Sequence, residues 1–154
     1  MQTKRIIIRF FIFALIGLLM EVFFGAILKL VAGDWNMRGG SSPWMMIDYG
    51  LLGVLTAPIR DPLLRKGVPL VGRAFVYMLG IFLIEYVSGI AFTAAGLRIW
   101  DYSTYAYNLH GQISLLFVPL WYGLGLGVEF LYRRVDAIAV LLLRGLSAED
   151  LERI

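Results

Sequence analysis

The chain has 154 residues, of which 60% are hydrophobic and 16% charged, with a mean hydropathy of +0.78 and a net charge of +3. Soluble domains run near half apolar and about a quarter charged, so the apolar excess here calls for lipid as solvent, and the length suits one domain of a few spanning helices. The absence of cysteine excludes disulfides, thiolate catalysis and cysteine metal sites, and a single histidine argues against an imidazole-rich metal or haem centre.

The opening stretch, MQTKRIIIRFFIFALIGLLMEVFFGAILKLVAG, carries an apolar run too long for a signal peptide. It also contains Glu21 and is followed by no small-x-small cleavage site, so it reads as a retained first span over about 6–31. A short second span follows over about 43–59, closed by Pro58. The third covers about 70–96 and the fourth about 112–132. Long apolar runs with few charges predict helices rather than barrel strands, which would alternate. The expected fold class is an all-α membrane protein of four transmembrane helices, arranged as two tandem helix hairpins, with a C-terminal interfacial helix.

Basic residues set the predicted orientation. Lys4, Arg5 and Arg9 lie at the first span; Arg60, Arg65, Lys66 and Arg73 surround the second connection; Arg133 and Arg134 follow the fourth span. The other two loops hold only Lys29, Arg38 and Arg98. Positive-inside bias places both termini in the cytoplasm of a plasma (inner) membrane protein, with the loop at 98–111 outside. The basic pI of about 9.3 therefore points to the lipid bilayer and not to nucleic acid. Residues 135–154 carry an apolar run too short to span and predict a helix and tail at the cytoplasmic interface. Ser147 and Asp150 have capping-box spacing there. The domain boundaries are accordingly 1–134 for the transmembrane part, with halves of about 5–60 and 69–132, and 135–154 for the tail.

The halves resemble one another. Arg9, Glu21 and Gly25 recur as Arg73, Glu85 and Gly89 at an offset of 64, and Tyr49-Gly50-Leu51 recurs as Tyr122-Gly123-Leu124 at an offset of 73. Two spans per half give a pseudo-two-fold axis along the membrane normal, not an inverted repeat. Most of the extra residues of the second half fall in the aromatic loop RIWDYSTYAYNLHG, residues 98–111.

Glu21 and Glu85 each lie twelve residues after an arginine, about 18 Å along a helix and near the middle of a core roughly 30 Å thick. A carboxylate at that depth must face the interior, be protonated or have a partner. The pair could bind a cation, a proton or a polar ligand group; alternatively, each is neutral and bonds a neighbouring helix, with glycine four residues on allowing close approach. Asp48, near the outer face, either extends this site, caps a helix start or reaches headgroups. Glu129 is expected to pair with Arg133 one turn later. Gly123 and Gly127 form a G-x-x-x-G face for helix packing. In the loop, Trp100, Tyr102, Tyr105 and Tyr107 suit the headgroup region, while Asp101 and Asn108 suit Asx-type turns. An ordered interfacial cap over the outer mouth of the bundle is the expectation, with His110 bonded to a neighbour; Trp100, Asp101, Tyr102, Asn108 and His110 join Glu21, Glu85 and Asp48 as ligand-site candidates.

Glu85, Gly89, Trp100-Asp101-Tyr102-Ser103, Asn108 and Gly111, together with EVFFG in the first half, give the chain a resemblance. It resembles the bacterial CmpB-like ABC-transporter permease family and a group of small eukaryotic multi-pass membrane proteins, over about residues 10–132. The resemblance implies a four-helix membrane fold. The chain has no G-x-x-x-x-G-K-[ST] loop, so an ABC role requires a separate ATPase.

Three functions fit the sequence. The first is binding or transport of a small molecule or cation at the two carboxylates, as a homodimer or beside a partner. The second is a non-catalytic accessory subunit of a larger membrane complex, with close-packing glycines and outward rings for lateral contacts. The third is an intramembrane acid/base enzyme on a lipid or polyene. An anion-selective transporter is disfavoured, because no arginine or lysine is expected at central depth. The sequence does not identify a cofactor.

Overall fold

The computed structural model describes residues 2–145. Within them the chain forms α1 (Gln2–Val31), α2 (Met45–Arg65), α3 (Leu70–Ala94), a short ribbon of β1 (Asn108–Leu109) and β2 (Ile113–Ser114), a 3₁₀ turn at Leu115–Phe117, and α4 (Val118–Arg144). The two strands pair antiparallel, Asn108 with Ser114 and Leu109 with Ile113. The fold is all-α apart from this ribbon.

Three stretches are long and apolar enough to cross a membrane: Gln2–Val31, Leu70–Ala94 and Leu115–Arg144. The second helix is long enough but carries Asp48, Arg60, Asp61 and Arg65, and it does not join them. It also runs past its expected end at Pro58, because Pro58 and Pro62 both lie inside it. A proline removes one N–H and crowds the carbonyl four residues back. Spaced four apart, the two prolines lie on one strip of the helix, so the lost bonds stay on one side.

The expected break after Arg134 is likewise absent, and α4 continues unbroken to Arg144. No glycine or proline interrupts this part, Val135 and Ala139 are buried, and Asp136 binds Arg5 and Arg9 of α1. Residues 135–144 thus prolong the fourth helix rather than forming a separate interfacial one. The Ser147–Asp150 capping box lies outside the described residues.

The helices pack as α1 on α2 and α3 on α4 above all. Both pairs are antiparallel. Gly17 lies against Tyr49, Gly50 against Phe10 and Gly53 against the Arg9 main chain; Gly125 lies against the Ala74 main chain, and Trp121 reaches Glu85. The core is small, centred on Phe13, Tyr77, Val128, Tyr132 and Val135. Much of the remaining apolar surface points outward, as with Phe11, Leu15, Leu19 and Phe23 on α1 and Phe75, Leu79 and Leu83 on α3. That distribution suits lipid solvation and accounts for the composition.

The close-packing glycine of α4 differs from expectation. A Cβ on Gly125 would strike the Ala74 backbone, whereas Gly123 and Gly127 have open space there. The G-x-x-x-G pair does not face the neighbouring helix; the glycine between its two members does.

Candidate functional site: a carboxylate pocket under an aromatic loop

Polar groups gather at both ends of the bundle. At the end bearing the α2–α3 connection, Arg73 of α3 donates from Nε (2.5 Å) and Nη2 (2.9 Å) to the carboxylate of Glu129, which also accepts from Tyr77 Oη at 2.6 Å. Arg60 Nε lies 3.9 Å from the same carboxylate. Arg9 donates to Tyr132 Oη and, at 3.1 Å, to Asp136, which also binds Arg5. Glu129 therefore pairs across helices with Arg73 and not along its own helix with Arg133, because its side chain turns into the α3–α4 seam. Arg9 and Arg73 are buried partners inside the bundle, not free charges at its rim.

The other end holds the predicted carboxylates. Glu85 is 6% exposed and lies nine residues before the end of α3, about 14 Å along the axis. Its Oε1 accepts from Tyr102 Oη at 2.8 Å and its Oε2 from Trp121 Nε1 at 3.1 Å. Asp48, on the first turn of α2, is 7% exposed. Its Oδ2 accepts from Ser88 Oγ at 2.9 Å, and its Oδ1 is buried with no hydrogen-bond partner. Asp48 and Glu85 line one pocket of about 30 Å³, together with Tyr49, Leu52, Trp121, Leu124 and neighbouring aliphatic side chains. None of the lining residues is basic.

Glu21 does not line this pocket. It is half-buried and accepts from Ser41 Oγ in the α1–α2 connection. The acidic neighbour that shares the pocket with Glu85 is Asp48, and Tyr49 lines the same space. Among the described residues no group of three acidic or histidine side chains is placed to hold a metal ion.

The aromatic loop covers this end. Glycine ends α3 at Gly96, whose φ of 77° lets the chain leave the helix while Leu97 N bonds Phe92 O at 2.8 Å. Trp100 packs edge-on against Phe92 and donates from Nε1 to Gln112 O at 2.9 Å, over Gly89. Asp101 accepts from Ser103 N at 2.8 Å, which holds its carboxyl below the usual range, and lies 3.4 Å from Arg98. Asn108 donates to Ser103 O and Tyr105 O and accepts from Gly111 N. His110 Nδ1 is 2.8 Å from Tyr86 Oη. Tyr107 and His110 both have positive φ, so the loop holds two strained non-glycine residues that this network keeps in place.

Of the loop candidates, only Tyr102 bonds a pocket carboxylate. Its ring meets Tyr105 edge-on and lies tilted against Phe117, and burial together with the nearby Glu85 raises its phenol pKa. Trp100, Asp101, Asn108 and His110 build the loop without lining the pocket.

A model of the family described as "Putative ABC-transporter type IV" matches residues 8–146. The chain belongs to this family. The match covers all but the first turns of α1, the other three helices and the covering loop. No solved structure matches the chain.

Sequence reasoning missed Ser88, Trp121, Tyr49 and the Arg73–Glu129–Tyr77 cluster as site or framework residues. Ser88 was within reach, since it stands three residues after Glu85 and so shares its helix face. Trp121 carries no such signal, and only the rotation of α4 directs its N–H to Glu85.

Removing the Tyr102 hydroxyl takes one donor from Glu85 and keeps the ring packing. Tyr102→Phe is expected to lower stability by about 1–2 kcal/mol. Tyr105→Phe, which removes an exposed hydroxyl from the same aromatic cluster, is expected to stay within about 0.5 kcal/mol. Thermal unfolding of the two variants in detergent compares them directly.

Proposed function

We propose that this chain is a four-span plasma (inner) membrane protein that binds, and as a transport component passes, a small cation or cationic molecule at the Asp48–Glu85 pocket. The observation that carries this reading is the Asp48 Oδ1 atom, buried without a partner beside a second carboxylate in a pocket with no basic lining residue. Burying charge in a low-dielectric site is costly unless a counter-charge compensates it, and a cationic guest supplies one. Glu21 lies at the edge of the site and contributes negative potential. Tyr102 ties the loop to the pocket, so displacing the loop exposes Glu85.

In this reading α2 is the fourth span, since its 21 residues reach about 31 Å and it packs antiparallel between α1 and α3. Both termini are cytoplasmic, because the arginine-rich end is the cytoplasmic one. The halves are a duplication. In support, Gly25 lies against Gly39 and Gly89 against Gln112, partners that correspond at the offsets of 64 and 73. Family membership, with no nucleotide-binding loop in this sequence, supports a working partner for the chain, either a separate ATPase or a second copy of itself.

Native mass spectrometry of protein extracted gently from its own membranes tests the reading. The expected result is a small-molecule adduct on the wild-type chain, alone or with its transport partners, that is lost in both Asp48→Asn and Glu85→Gln although the variants remain folded. An adduct-free chain found only within a larger assembly, with both variants behaving as wild type, would support the accessory-subunit reading instead.

A further inference from the structure

The pocket itself is small. About 30 Å³ admits one or two water-sized groups, which suits an ammonium head and nothing larger. Beside it lies a cleft of about 210 Å³ between α1, α2 and α4, lined by Phe13, Ile16, Gly17, Tyr49, Leu124 and Val128 among others. The two spaces share Tyr49, Leu52 and Leu124, so they are neighbours along one wall. One is acidic and small; the other is apolar and large enough for an aromatic ring, since an apolar cavity of about 150 Å³ holds benzene. Met20, which is 47% exposed, edges the cleft and opens it toward the surroundings of the bundle.

From this geometry we infer that the site takes an amphipathic monocation: a primary ammonium head against Asp48 and Glu85, joined by a short linker to a ring-sized apolar group in the α1–α2–α4 cleft. The inference rests on the cation-site reading above. A primary ammonium presents three donors, and the free Oδ1 of Asp48 with the remaining lone pairs of both carboxylates can accept them. Tyr49 and Trp121 add aromatic wall to the pocket. A bare divalent ion is a poorer guest, since it demands about six oxygen ligands and the lining is mostly aliphatic and aromatic.

Calorimetry on the full chain in lipid nanodiscs tests this, with empty nanodiscs subtracting partition into lipid. The probes are phenethylammonium chloride, methylammonium chloride and 2-phenylethanol. Phenethylammonium is expected to bind at least tenfold more tightly than either of the others. Asp48→Asn should weaken it at least tenfold. Gly127→Leu should do the same by filling the cleft, because Gly127 lines it and has open space at its Cβ position, and should leave the weaker methylammonium binding unchanged. Equal binding of the two amines, indifferent to Gly127→Leu, would overturn the amphipathic guest while leaving a cation site. Tight binding of 2-phenylethanol would overturn the ammonium head. Binding of none of the three would remove the inference and the cation reading together.

Discussion

Replacing Glu129 by leucine is expected to lower the unfolding free energy by about 3–5 kcal/mol, the largest loss from any single side chain in the bundle. Arg73 and Glu129 are each 11% exposed and joined by two hydrogen bonds, and Tyr77 donates a third. Without the carboxylate, Arg73 keeps its charge in the α3–α4 seam with only the Val68 carbonyl and the Tyr77 hydroxyl near it. The double variant Arg73→Met with Glu129→Leu removes both charges and should recover most of the loss, since an apolar pair of similar volume is often as stable as a buried ion pair. Unfolding in mixed micelles by titration with denaturing detergent measures both. A loss below about 1 kcal/mol for the single variant would mean the pair behaves as a solvent-exposed one.

The second large effect concerns the same seam. Gly125→Leu places a side chain where the Ala74 main chain already lies, and a backbone cannot rotate aside as a flexible side chain can. Overpacking of this kind costs about 1–3 kcal/mol, and the upper end is expected here. The separation of α3 from α4 would also draw Trp121, one turn away, off Glu85 and so disturb the pocket. Gly123→Leu, on open surface, should stay within about 0.5 kcal/mol. Thermal unfolding of the two variants side by side checks this. Equal destabilisation would restore Gly123 as a packing residue.

The contrast between Gly125 and Gly123 illustrates what the sequence reveals and what it conceals. The four long apolar helices, the approximate starts of the first three and the outward turn of apolar side chains follow from composition and run length, because lipid and core are both apolar and only the length matters. Glu21, Asp48 and Glu85 were legible as candidates because a carboxylate in an apolar run is costly and needs an explanation. Their partners were not, because spacing along one helix does not fix its rotation against the next. That rotation brought Asp48 rather than Glu21 into the pocket with Glu85, turned Glu129 toward Arg73, and put Gly125 in the seam. The bound on α2 at Pro58 failed because a proline removes one main-chain bond and bends a helix without having to end it. The aromatic loop was legible as an ordered cap from its Asx residues and rings. Its bond from Tyr102 to Glu85 needed the fold.

The central claim is that Asp48 and Glu85 form a cation site. Infrared difference spectroscopy of the carboxyl bands, on the full chain in nanodiscs before and after adding phenethylammonium or methylammonium, tests it most directly. The account predicts cation-induced changes in the carboxyl region that lose one component in Asp48→Asn and another in Glu85→Gln. Carboxyl bands unmoved by either cation, in a protein whose folding is intact, would contradict it.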